Sequence, residues 1–141
     1  MIEPLTLAAL CATAALFGAM LFFSFVVAPL VFVKLDGATA GRFIRELFPW
    51  YYAVIVVLGL LAALALAVTD AISAVVMGAI FLSGLYTRQI LMRQINAHRD
   101  RMAAGDARAG VVFNRLHTLS VIINAVQLLA VLGVLIRLGF V

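Results

Sequence analysis

The sequence predicts an all-α fold: an integral membrane four-helix bundle with a short interfacial amphipathic helix between helices 1 and 2. Three observations lead there. Hydrophobic types make up 67% of the 141 residues and charged types only 11%, with a mean hydropathy of +1.23. A water-soluble domain of this size needs more polar surface than that. Several apolar runs also approach or exceed the length needed to cross a bilayer, and the basic residues cluster between particular runs. The length fits one domain over residues 1–141.

The first span covers about residues 5–31. Pro4 sits at its start, where a missing N–H costs little, and Pro29 is expected to kink or end it. The opening MIEPLTL lacks Lys and Arg, and the apolar run is longer than a signal-peptide core, so a cleaved leader is not expected. In KLDGATAGRFIRELFPWYY, residues Phe43, Ile44, Leu47 and Phe48 recur at helical spacing. This predicts a short helix from Ala38 to Phe48 lying in the interface, ended by Pro49. Trp50, Tyr51 and Tyr52 then belong at headgroup level.

The second span covers about 50–68 and the third about 71–91, joined by the short VTDAIS, where Thr69 or Asp70 caps the third helix. That helix should run past the membrane to about Met102. Gly105 and Gly110 mark a break before a fourth span at about 116–138. Small residues spaced by four, Ala8, Ala12, Ala15 and Ala19 on the first helix and Ala74 with Gly78 and Ala79 with Ser83 on the third, allow close helix approach within one chain or between copies.

Nine of the ten Lys and Arg residues lie in or beside the two long loops, and Arg137 alone lies at the other side. The positive-inside rule predicts a multi-pass inner-membrane protein with both termini outside and loops 32–49 and 88–115 cytoplasmic. A net charge of +4, so dispersed, does not suggest nucleic acid. It suits anionic headgroups, although an ordinary solvated flank explains it as well.

The fourth span carries a polar stripe. In NRLHTLSVIINAVQLL, residues 114, 117, 120, 124 and 127 share one helical face. Gln127 lies roughly 16 Å beyond Leu116 along the axis, about mid-membrane. Amides exposed to lipid leave donors and acceptors unpaired, so this face should point into the bundle. Ser24 is a partner by depth, and Thr87 is placed to do similar work near the interface. Asn96, Arg99 and Asp100 can fold near the first loop. Two readings stay open for Asn124 and Gln127: interhelical packing, or the lining of a site for a solute or lipid. The candidate binding residues are Ser24, Arg88, Asn96, Arg115, His117, Ser120, Asn124 and Gln127, with Arg88 and Arg115 attracting an anionic group near the cytoplasmic boundary.

Two His and one Cys make a weak metal case. No disulfide can form within the chain, and no catalytic residue, metal ligand or cofactor is assigned. The span holds no obvious buried carboxylate, which weakens a proton-coupled pump.

The segments GAMLFFSFVVAPLVF (18–32), AGRFIRELFPWYY (40–52), YTRQILMRQIN (86–96) and FNRLHTLSVIINAVQLL (113–129) together resemble the transmembrane protein 205-like family, the bacterial domain of unknown function 4149. The resemblance implies a four-helix membrane domain without a defined reaction. It marks Phe25, Pro29, Phe32, Gly41, Phe48, Pro49 and Tyr52 in the first half of the chain. It marks Arg88, Asn96, Leu116, His117, Ser120, Asn124 and Gln127 in the second. Animal relatives are linked to tolerance of platinum compounds, which hints at transport or trafficking. Family members often carry Trp or His in the first helix; LCATAALFGAM here has neither, which counts against a bis-histidine haem. Haem-pathway oxidases and anthrone-oxygenase-like proteins are similar small four-helix membrane proteins, by analogy only.

The leading expectation is a transport-related or small-molecule- or lipid-binding membrane protein. It would contact membrane lipids and a small or anionic solute, and form a homo-oligomer if it transports. A structural or accessory protein is the alternative, and a metal- or haem-dependent oxidoreductase using His117 is the third; an enzyme is not the favoured reading.

Overall fold

A computed structural model describes residues 4–140 of the chain; residues 1–3 and 141 lie outside the described residues. Four helices make up almost all of it: α1 (Pro4–Lys34), α2 (Gly37–Leu66), α3 (Ala71–Ala103) and α4 (Ala107–Gly139). They contain 31, 30, 33 and 33 residues, and each includes a stretch apolar enough to cross a membrane. At about 1.5 Å per residue they reach about 45–50 Å. That exceeds a hydrocarbon core about 30 Å thick, so the protein is a multi-pass bundle whose helices project beyond the apolar layer. One end carries the chain termini and the α2–α3 turn (the terminal end). The other carries the α1–α2 and α3–α4 turns and nine of the ten cationic side chains (the basic end).

The separate interfacial helix is not there. Residues 38–48 form the first part of α2, and Pro49 lies inside that helix instead of ending it. Proline removes one N–H and crowds the carbonyl a turn earlier, which bends a helix but stops it only if packing changes face. Here it does not. Ala40, Gly41 and Ile44 before the proline and Tyr51, Tyr52, Ile55, Gly59 and Ala62 after it are all buried, at spacings of one face. Ile44 packs with Val31 of α1 and Ala40, so the segment read as a membrane-surface helix is a packed wall of the bundle. Trp50 is 74% exposed, while Tyr51 and Tyr52 are 7% and 2% exposed. Only the Trp fits the headgroup-facing role expected of all three.

Pro29 does not end α1 either. A wide π-type turn at Phe23–Val27 precedes it, in which the Ala28 N–H bonds the Phe23 carbonyl, five residues back. The wider turn gives the proline ring room, and the helix continues to Lys34. A second π-type turn, Thr87–Leu91, interrupts α3. Thr87 spends its hydroxyl on the Ser83 carbonyl one turn earlier, at 2.8 Å, not on another helix.

Asp36, Asp70 and Asp106 cap α2, α3 and α4, each accepting hydrogen bonds from two backbone N–H groups of the first turn. The carboxylate satisfies donors left bare by the helix start and suits the positive end of its dipole. Gly105 has φ +98°, a left-handed conformation open to glycine, and reverses the chain after α3. Gly110, read as part of that break, is already inside α4.

The core is continuous. Leu16, Met20, Ile55, Leu66, Met77, Leu91 and Val131 are fully enclosed. α2 and α3 approach closely at Gly59, beside the Phe81 backbone, and at Gly84, where an added Cβ would lie 3.0 Å from Ile55 Cγ2. The small-residue contact thus falls at Gly84, whereas an added Cβ at Gly78 would meet nothing within 4 Å. Two exposed ion pairs clasp the ends. Arg137 of α4 donates to Asp70 at 2.7 and 3.3 Å; Arg45 of α2 forks onto Asp100 of α3 at 2.8 and 3.0 Å. Such pairs fix register more than they stabilise.

Candidate functional site

In the basic half of the bundle the four helices enclose a cavity of about 410 Å³. Its deep end is polar. The buried Tyr51 hydroxyl of α2 donates to Asn124 Oδ1 of α4, and Asn124 Nδ2 donates to Ser24 Oγ of α1 at 3.0 Å. Three helices therefore meet in one hydrogen-bonded cluster, and the depth match between Ser24 and Asn124 is a direct bond. An amide carries two N–H donors, so one of Asn124's is committed to Ser24. Ser120 also lines the cavity, but its hydroxyl bonds the His117 carbonyl at 2.7 Å, leaving it weakly available.

Aromatic rings form the walls. Phe23 stacks on Tyr51 with centroids 3.9 Å apart, and Phe48 stacks on Tyr52 at 5.8 Å. Across from them Phe113 and His117, one turn apart on α4, lie parallel with centroids 5.9 Å apart. Such faces favour apolar or flat ligand groups. The His117 imidazole is exposed at this wall.

At the mouth stand Asn96 and Arg99 of α3 and Arg45 of α2. Arg45 is engaged by Asp100, which holds that carboxyl below its ordinary value of 3.8, the Arg45 hydrogen bonds being the largest cause. Arg99 is different: its Nη1 donates to the Gly41 carbonyl at 2.9 Å, and no carboxylate pairs with it among the described residues. Gly41 makes this possible, because an added Cβ there would lie 1.5 Å from Arg99 Nη2.

The structure thus brings Ser24, Asn96, His117, Ser120 and Asn124 to one cavity. The other expected site residues lie elsewhere. Gln127 is deeper in the bundle; its Nε2 donates to Ser83 Oγ at 2.8 Å, and its buried Oε1 has no partner. Arg88 is exposed and donates to the Pro49 carbonyl at 3.2 Å, tying α3 to α2 at that level. Arg115 sits with Asn114 and Thr118 on a different, shallow face of α4. The residues missed by sequence reasoning are Tyr51, Arg45 and Arg99. Tyr51 was findable: it falls one and two turns beyond Phe48 and Ile44 on the buried face of α2. Among the described residues no three His, Cys, Asp or Glu gather as metal ligands would.

Residues 11–104 match a family described as a domain of unknown function, DUF4149. The chain belongs to that family. The DUF4149 match spans α1 from Cys11 through the end of α3. It includes Ser24, Tyr51, Asn96 and Arg99 but stops before α4, so Asn124 and His117 lie beyond it. No curated protein matches the chain, and no solved structure does.

Proposed function

We propose that this DUF4149 protein binds a small amphiphilic molecule or lipid in the cavity of its basic half, as part of a transport-related or lipid-handling role in the inner membrane. By the positive-inside rule the basic end faces the cytoplasm, so the cavity occupies the cytoplasmic leaflet. The observation that supports this reading is the combination of an aromatic-walled space of about 410 Å³ with a polar cluster at its floor and cations at its mouth. That volume lies within the usual range of about 300–1,000 Å³ for ligand pockets. A bundle that needed Asn124 only for packing has no reason to leave space beside it.

The terminal half is filled by side chains such as Leu16, Leu66, Met77 and Val131. One copy therefore offers a binding site open toward one side, and passage across the membrane would require a second copy or a conformational change. The test is to extract the protein in native lipid discs and identify co-purifying small molecules by mass spectrometry, beside an Ala28→Trp variant. Ala28 lines the cavity, so Trp should fill it. A ligand enriched with the wild type and depleted with the variant supports the reading; identical co-purifying sets overturn it.

A second reading, a structural or accessory role, is favoured by one observation. Gln127 lies outside the cavity and bonds a serine of α3, as interhelical packing residues do. The two amides of the stripe can thus serve different ends.

A further inference from the structure

We propose that the cavity is loaded sideways from the bilayer: a single-chain anionic amphiphile, a carboxylate or phosphate head on an alkyl chain, enters between α1 and α4 and places its head on Arg99. This rests on the reading that the cavity holds a ligand, and adds the route and the chemical class.

The route is a parting of two helices. Close backbone approach between α1 and α4 is concentrated in the Pro4–Phe22 part of α1. Beyond the π-type turn, α1 leans on α2 instead, through Val31 against Ala40 and Ile44. The gap this leaves is lipped by side chains that belong to both the cavity and the outer surface. Phe32 on α1 and Val121 on α4 line the cavity and are 61% and 55% exposed. Both lips are apolar, and the helical backbone behind them is internally bonded. A hydrocarbon chain can cross such a lip at little cost, whereas a hydrophilic solute would lose its hydration there. The cavity volume sits near the lower end of the ligand range, which suits one chain better than two.

The class follows from Arg99. Its carboxylate neighbour Asp100 is occupied by both Arg45 nitrogens, and Arg99 has only the Gly41 carbonyl. Most of its N–H groups remain to be used, and a planar guanidinium suits a carboxylate or phosphate. Asn96, nearly one turn earlier on α3, lines the same mouth and supplies an amide beside it. A head held here sits at the basic end, the chain running inward along the Phe23 and Phe48 walls and out past Val121.

The experiment uses the full chain in lipid discs with a photoreactive diazirine analogue of palmitate, and the matching long-chain alcohol as the neutral probe; adducts are mapped by peptide mass spectrometry. The acid should label residues 23–32 of α1 and 113–124 of α4. Unlabelled palmitate and an alkyl phosphate should displace it, while acetate and inorganic phosphate should not. Arg99→Gln should weaken apparent affinity about tenfold, the loss of one charge-assisted contact, and Arg99→Lys should recover part of it. Val121→Trp, a bulky side chain at an exposed lip, should slow labelling of the interior. If Arg99→Gln does not fold, Gly41→Ala displaces the same guanidinium. Equal labelling by acid and alcohol overturns the anionic class while leaving a ligand cavity in place. Displacement by inorganic phosphate as strong as by alkyl phosphate overturns loading by the chain. Labelling of no cavity residue by either probe overturns the proposal, and the broader reading is then decided by the Ala28→Trp co-purification comparison.

Discussion

Replacing Gly41 with Ala should move Arg99 without unfolding the protein, and the structure sets the size of each effect. The new methyl would lie 1.5 Å from Arg99 Nη2 and 2.5 Å from Cζ, so the guanidinium must leave. It is the end of a flexible side chain, and no backbone need shift. The lost bond to the Gly41 carbonyl, at 2.9 Å, has a charged donor, and bonds of that kind are worth about 1.5–3 kcal/mol. Arg99 is partly solvated, which places this one at the low end. Against it, Ala is about 1 kcal/mol better than Gly within a helix. The net is a destabilisation of about 1 kcal/mol or less, a shift of about 3–4 °C in thermal midpoint for a chain of this length. Amphiphile affinity should fall as far as it does in Arg99→Gln, and the double variant should fall no further, since both changes remove the same contact. Thermal unfolding in detergent and competition against the photoreactive acid measure the two quantities. A loss above about 3 kcal/mol, or unchanged affinity, would refute the placement of Arg99 over Gly41.

Asn124→Leu should cost about 1–3 kcal/mol, because the Tyr51 hydroxyl and Ser24 each lose a partner in a buried setting. Gln127→Leu should stay within about 1 kcal/mol of wild type, since it also removes the unpartnered Oε1; equal losses in a denaturation series would contradict the two roles. Gly78→Ala, where a Cβ meets nothing within 4 Å, should stabilise by up to about 1 kcal/mol. Gly84→Ala, pressed to 3.0 Å from Ile55, should destabilise by about 1–2 kcal/mol, and the same thermal assay ranks them. Asp70 is held well below the ordinary carboxylate value of 3.8 by its Arg137 hydrogen bonds first and by Ser73 next. A depressed folded-state value means the stabilisation is complete above that ordinary value and is lost as pH falls through the folded one. Thermal midpoints followed downward from pH 5 should therefore decline less steeply in Asp70→Asn, and parallel declines would count against the ion pair.

The four spans were legible because hydropathy is a sum over local residues and needs no knowledge of neighbours. Depth was legible for the same reason, since helical rise converts position into distance. Ser24 and Asn124 could be paired across a hundred positions in this way, and Asp100 with Arg99 placed near the first loop. Direction around each helix was not so legible. Arg88 and Arg115 have the depth of a cavity mouth but point elsewhere, while Arg45 and Arg99 turn toward it. In a chain where most positions are apolar, the contrast that reveals a face is weak. Tyr51 shows the cost of a local rule: next to Pro49 and Trp50 it resembles an interfacial aromatic, yet the buried face of α2 runs straight through the proline to include it. The proline signals are only half informative: Pro29, expected to kink or end its span, follows an irregular turn without ending the helix, and Pro49, expected to end a helix, lies inside one. Each is accommodated in a helix that continues past it, Pro29 after a wide turn and Pro49 beside the Arg88 bond to its carbonyl.

The accommodation of Pro29 falls where the cavity begins: the cavity is lined on α1 by Phe23, Ser24, Ala28 and Phe32. Up to Phe22, α1 approaches α4, and the space between the helices is closed by side chains such as Leu16 and Met20. At Phe23–Val27 the wide turn adds backbone to α1, and Pro29 has no N–H to offer the turn before it. Beyond that turn α1 packs on α2 through Val31, Ser24 keeps its bond to Asn124 of α4, and the rings of Phe23, Phe48 and Tyr51 line the space that follows. Restoring the donor with Pro29→Ala removes the reason for the wide turn, and α1 should relax toward regular helix geometry. Phe32 and Val121, both exposed, are suitable sites for spin labels that report the gap. The expected result is a shorter and narrower distance distribution in Pro29→Ala than in the proline-containing chain, with weaker amphiphile labelling and no loss of thermal stability. An unchanged distribution would mean that Pro29 has no part in opening the cavity.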